Sequence, residues 1–254
     1  MNMEKAIVTG AMGFLGFELC LAMLEEGLEV LAADSANAAG DRWLEVGRNS
    51  NITYQHLDQE VPEEAAKASV FINLYDYFTE RKRSETLKDI SSFIEKNKKS
   101  FKEAAVLLPT VLSNRSGEIE LSDFLQFLEE QDITNQYSIY LPTLIGSGQP
   151  ETFLFQQLLS KSDKEDDFVD DPRSAIYVKD AAQAVLQNGR SLESVLLHSD
   201  DHDSWKKSLS LLEQAGPDRG EVQNYIDIIP QKLKHVGVKA SLSFEEVLEL
   251  QRKP

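Results

Sequence analysis

The residues best suited to chemistry lie near the start of the chain, in Thr9-Gly10-Ala11-Met12-Gly13-Phe14-Leu15-Gly16. A glycine-rich turn between a strand and a helix brings backbone N–H groups and the positive end of the helix up to a pyrophosphate. Gly10 allows the turn, Gly13 the close approach, and Gly16 the packing of helix on sheet. Asp34 follows 18 residues after Gly16, at the end of the next apolar run, where a carboxylate accepts hydrogen bonds from both ribose hydroxyls and repels a 2′-phosphate. The expected cofactor is NAD rather than NADP; the bland alternative is a tight packing turn beside an ordinary surface aspartate.

The elements that must hold this loop are legible around it. Lys5–Thr9 is a short apolar run with a β-branched centre and reads as a buried strand. Phe14–Glu26 is apolar around most of a helical circumference and must be covered on both sides; Gly27 stops it, and Leu28–Ala33 forms a second strand. Further strands are expected at Ile52–His56, Val70–Leu74, Ala104–Leu108, Ser138–Leu141, Ala175–Val178 and Val195–His198. Helices are expected at Glu63–Ala68, Ser84–Asn97, Leu121–Gln131, Thr152–Ser160, Lys179–Gln187, Ser204–Gln214 and Phe244–Gln251. Such alternation predicts an α/β fold, a doubly wound, mainly parallel Rossmann-type sheet with helices on both faces. Strands thin out after Gly146-Ser-Gly-Gln-Pro150. Residues 1–147 with 174–198 are therefore read as a dinucleotide-binding domain, and 148–173 with 199–254 as a small, discontinuous C-terminal substrate lobe.

The T-G-x-x-G-F-L-G loop resembles that of the extended short-chain dehydrogenase/reductases, the NAD-dependent epimerase/dehydratase group that acts mostly on nucleotide sugars. Val70-Phe-Ile-Asn-Leu-Tyr75 resembles the family's fourth-strand segment, Ile176-Tyr-Val-Lys-Asp180 its Y-V-x-D motif, and Leu233-Lys-His-Val-Gly237 onward its closing leucine-glycine turn and last helix. The resemblance implies cofactor contacts from Thr9, Gly10, Met12, Gly13, Phe14, Leu15, Gly16, Asp34, His56, Leu57, Leu74 and Tyr75. It also implies a Ser/Thr beside the substrate oxygen, a place held by Thr110, either as a substrate contact or as a packed or capping threonine.

The family's proton-transfer pair, a tyrosine with a lysine four residues on, is missing. None of the seven tyrosines has a lysine at that spacing, and the helix expected to carry the pair, around Ile119–Gln131, holds neither residue type. A threonine without a neighbouring acid or base is a binding contact only. Tyr75 and Asp76 stand where the family has small residues, and a phenol and a carboxylate there crowd or repel the pyrophosphate. Three readings follow: an NAD-binding protein without hydride-transfer chemistry that acts in binding or regulation; a working epimerase, dehydratase or reductase whose acid is Tyr75, Tyr77 or Tyr137; or an interaction module whose cofactor site Tyr75 closes.

Composition bounds the partners. With 26 Lys+Arg against 43 Asp+Glu, the formal charge is −17, which repels nucleic acid and anionic membranes. The lone Cys20 sits in an apolar helical pattern, cannot form an internal disulfide, and fits a cytoplasmic protein. The apolar run from Lys5 to Leu24 is interrupted by three glycines and Glu18 and does not read as a signal peptide. Asp163–Asp171, with six acids and one lysine, reads as a solvated loop; facing the cleft, it would disfavour a sugar nucleotide diphosphate. Asp200-Asp-His-Asp203 reads as a turn with Asp203 capping the next helix in preference to a metal cluster, so no metal site is expected. His198, His202 and His235 have no recognisable partners. Leu121, Phe124, Leu125, Phe127 and Leu128 form a stripe suited to the core or to a partner helix, the second giving a homodimer.

Overall fold

The computed structural model describes residues 3–35, 40–63, 67–80, 87–160, 169–213 and 225–252. The chain opens with β1 (Lys5–Thr9), α1 (Phe14–Glu25), β2 (Glu29–Asp34), α2 (Gly40–Val46), β3 (Ile52–His56) and β4 (Ala68–Asn73). It continues through α3 (Leu74–Thr79), α4 (Leu87–Asn97), β5 (Phe101–Pro109), β6 (Val111–Leu112), α5 (Arg115–Glu129) and β7 (Gln136–Leu141). The last part holds β8 (Thr143–Ile145), α6 (Leu154–Ser160), β9 (Ala175–Tyr177), α7 (Val178–Gly189), β10 (Val195–Ser199), α8 (Ser204–Glu213), β11 (Ile226–Asp227), β12 (Lys234–Val238) and α9 (Phe244–Gln251).

Eight strands form one sheet in the order β12-β10-β7-β5-β4-β1-β2-β3, and every neighbouring pair is parallel. Parallel strands need crossover helices, and these cover both faces. On one face Leu15, Leu19 and Met23 of α1 pack with Ala182 and Val185 of α7; on the other Ile90 and Phe93 of α4 meet Leu121 and Phe124 of α5. The strand order turns back between β1 and β4, and in doubly wound sheets ligands bind outside the carboxyl ends of the strands at such a point. No helix among the described residues is long and apolar enough to cross a membrane.

Several expectations are corrected. Leu233–Gly237, read as a closing turn of the small lobe, is largely β12, which pairs with β10 at the rim of the main sheet. Its side chains are mostly exposed, so it lacks the apolar signature of an inner strand. Ala175–Val178 yields β9, which pairs with β8 in a separate ladder. The helix expected at Glu63–Ala68 does not reach its far end: Glu63 is in a 3-10 turn, Ala68 opens β4, and 64–66 lie outside the described residues. Residues 84–86 of the expected Ser84–Asn97 helix and Gln214 of the Ser204–Gln214 helix also lie outside them. The helix read as Leu121–Gln131 starts earlier, at Arg115, because the Asn114 side chain accepts from Gly117 N–H at 2.9 Å. Two short helices, α2 and α3, were not expected at all.

Candidate functional site

The glycine turn has the shape of a phosphate cradle. Gly10 sits at φ +63°, a left-handed conformation that glycine adopts without a Cβ clash. Gly13 N–H donates to Gly10 C=O at 3.1 Å and closes the turn. A Cβ on Gly16 would stand 2.1 Å from Gly10 O, so only glycine permits this contact between helix and turn. β1 and β4 are stitched together beside it, with Asn73 N–H donating to Thr9 Oγ1 at 3.1 Å.

The cradle's donors are already engaged. Phe14 N–H donates to Glu80 Oε1 at 2.8 Å. Leu15 N–H lies 2.9 and 3.0 Å from the two oxygens of Asp76, and Gly16 N–H donates to Asp76 Oδ2 at 2.9 Å. The first turn of α1 has no acid of its own, so its orphan amides and positive dipole end are satisfied by carboxylates 60 to 66 residues further along the chain. Asp76 is fully buried and also accepts from Asn73 Nδ2 at 2.6 Å. Its position follows from α3: the Asn73 side chain caps that helix by accepting from Asp76 N–H at 3.2 Å. One helical turn later, Glu80 falls on the same face as Asp76. In this conformation the first amides of α1, the groups a helix N-terminus offers an anion, are held by Asp76 and Glu80.

Asp34 is buried rather than open to a ribose. Its Oδ2 accepts from Met12 N–H at 2.8 Å and its Oδ1 from Ser35 N–H at 2.7 Å. Arg42 on α2 donates to the carbonyls of Met12 and Gly13 at 3.0 and 2.5 Å, with its guanidinium 5.7 Å over the Phe17 ring. His56 stands edge-on to Tyr54 at 5.5 Å, and its Nδ1 is buried without a hydrogen-bond partner. Leu57 is buried and donates its N–H to Asp34 C=O at 3.0 Å; Leu74, at the start of α3, is buried as well.

Tyr75 lies inside the fold. Its hydroxyl donates to Pro142 C=O and accepts from Leu144 N–H, each at 3.0 Å, and its ring stacks with Phe153 at 6.4 Å. Burial pushes its phenol well above the usual range. Thr110 is also buried, with its hydroxyl donating to Asp171 Oδ2 at 2.5 Å. Arg173 grips the same carboxylate through Nε (2.8 Å) and Nη2 (2.9 Å) and reaches on to Asp227. β11, which carries Asp227, pairs antiparallel with β6 directly after Thr110. Tyr137 is at the other end of the sheet, next to Ala105, with its hydroxyl 3.5 Å from Gly189 C=O. Tyr77 is half-buried, edge-on to Phe78 at 5.0 Å.

Glu80, Arg42 and Asp171 were not singled out from the sequence. A signal for the first existed: Asn73-x-x-Asp76 is a helix-start pattern, and Asp76 and Glu80 are spaced to share a face. The acidic stretch is corrected at its end, since Asp170 and Asp171 are buried rather than solvated; 163–168 lie outside the described residues. Asp200–Asp203 is a turn into α8, with Lys207 N–H donating to Asp203 C=O at 2.9 Å. Among the described residues no group of three His, Cys, Asp or Glu is placed to hold a metal. His198 does have neighbours, His202 at 6.2 Å and His235 at 6.0 Å between ring centroids, because β12 lies beside β10.

No protein-family model matches the sequence, and no curated protein matches it. Solved structures do. UDP-glucuronic acid 4-epimerase from Bacillus cereus, in complex with UDP-glucuronic acid and NAD, aligns over 98% of both chains at 13% identity with a TM-score of 0.64. WbmH of Bordetella bronchiseptica, in complex with NAD+, covers 98% of this chain and 97% of its own at 16% identity and a TM-score of 0.58. UDP-glucose 4-epimerase from Thermotoga maritima gives the same coverages at 13% identity and a TM-score of 0.55. The chain therefore has the Rossmann-type fold of these proteins.

Proposed function

We propose that this protein binds NAD at its glycine turn and acts as a binding or regulatory protein, without the hydride-transfer chemistry of the enzymes whose fold it has. The structural neighbours with bound NAD support the choice of cofactor. Asp34, beside the turn at the end of β2, supports NAD over NADP, because a carboxylate there repels a 2′-phosphate.

The observation that carries the loss of chemistry is the environment of Thr110. Its hydroxyl donates to the Asp171 carboxylate, which also accepts from Nε and Nη2 of Arg173, so the group beside Thr110 is a carboxylate tied to a guanidinium rather than a phenol ready to exchange a proton. Tyr75 is committed to two backbone groups, and Tyr137 faces the opposite end of the sheet. A sugar-nucleotide ligand beside the cofactor belongs to the same reading, with Arg173 the nearest described cation to Thr110's partner.

Calorimetric titration with NAD and NADP tests the first half: NAD is expected to bind more tightly, and silence from both at millimolar concentration sinks it. Incubation with UDP-sugars tests the second. Neither epimer nor NADH is expected, and turnover lost on Thr110→Val overturns the non-catalytic reading.

A further inference from the structure

We propose that Asp76 and Glu80 are a latch on the dinucleotide site, an internal anion that must leave α1 before a pyrophosphate can seat. The proposal rests on the reading of this cleft as an NAD site. Each main-chain N–H has one proton to give, and those of Phe14, Leu15 and Gly16 give theirs to these two carboxylates. A pyrophosphate brought to the same amides would stand against two acids, one of them fully buried, and like charges at that distance repel. Occupation by one therefore requires departure of the other.

The latch has a structure that can open. α3 is a six-residue helix anchored at its start, where Leu74 and Tyr75 are buried and the Asn73 cap and the Tyr75 hydroxyl on Pro142 and Leu144 hold it, while near its end Thr79 is buried and its C=O accepts from Thr152 Oγ1. Glu80 is only half-buried and lies just past the helix end in extended backbone, whereas Asp76 is fully buried. Opening from the Glu80 side exposes Phe14 N–H first and the amides of Leu15 and Gly16 after it. NAD binding is then coupled to a displacement of α3, which makes that helix the element through which the protein would report a bound dinucleotide. The observed affinity equals the intrinsic one reduced by the open fraction.

Two measurements test this. In calorimetry, the double variant Asp76→Asn with Glu80→Gln is expected to bind NAD about tenfold more tightly than the wild type, or better, as the closed state loses its charge-assisted bonds. In hydrogen exchange on the wild type, which does not depend on a variant folding, saturating NAD is expected to speed exchange at residues 76–80 and to slow it at 14–16. Equal affinities, or unchanged exchange at 76–80 in the NAD-saturated protein, overturn the latch and leave the NAD reading standing. If neither protein binds NAD while both are folded, the NAD reading falls and the latch with it.

Discussion

The Thr110 hydroxyl and the Asp171 carboxylate share a 2.5 Å hydrogen bond beside the start of β6, and Arg173 donates to both oxygens of that carboxylate. The contact joins the end of β5, the segment before β9, and β11.

Asp171→Ala is accordingly expected to lower stability by about 2–4 kcal/mol, since it strips Thr110 and Arg173 of one shared partner. Thr110→Val removes one hydrogen bond and is expected to cost about 1 kcal/mol. Chemical denaturation of both variants checks the order; a larger loss from Thr110→Val would contradict the joint.

Tyr75→Phe leaves Pro142 C=O and Leu144 N–H without their buried partner. About 1–3 kcal/mol of destabilisation is expected, against little change for Tyr225→Phe, a residue 38% exposed. Thermal unfolding of the pair distinguishes a buried bridge from a surface phenol.

Asp170 gives the fold a pH dependence. Burial pushes its carboxyl up to about 7, helped by Asp171 and opposed by hydrogen bonds from Leu154 N–H and Trp205 Nε1–H. Its unfolded value is near 3.8. A raised folded value means that the folded state binds the proton more tightly, so this group's contribution is full below about pH 4 and is lost as pH rises through about 7. Asp170→Asn is expected to remove a decline of at most about 1.4 kcal/mol per pH unit between those limits. Trp205 fluorescence during urea unfolding at pH 5 and pH 8 reads the difference; an identical slope in wild type and variant would refute the assignment.

Gly16→Ala puts a methyl group 2.1 Å from a backbone oxygen. Neither Gly10 nor α1 can retreat without breaking the turn, and a loss of about 3 kcal/mol or more is expected. Gly27→Ala serves as a comparison: it meets open space but carries φ +77°, and its smaller loss would come from strain alone.

The sequence exposed the frame of this molecule far better than the contents of its cleft. β1, β3 and α9 are where periodicity and punctuation place them, because inner strands and capped amphipathic helices leave strong local patterns. α3 was hidden because Leu74 and Tyr75 continue the apolar run of β4, and the helix start rests on the single side chain of Asn73. Tyr75 and Asp76 could be flagged as intruders, but where their polar atoms go depends on Leu144 and on Leu15, 69 and 61 residues away. Asp34 shows the same limit: its place at the end of β2 was readable, its bond to Met12 N–H was not. The acids at 170 and 171 looked solvated because composition cannot distinguish a charged surface from a buried, paired one.

β12 closes the sheet on one side, with no strand beyond it among those described. An open strand edge is a template for pairing with another chain. This one is five residues long, exposes Lys234 and His235, contains Gly237, and ties Lys234 to Glu193 at 2.5 Å. Short length, cationic side chains and a glycine make it a poor seed for edge-to-edge aggregation, a hazard that a long, apolar outer strand would have carried through every folding cycle.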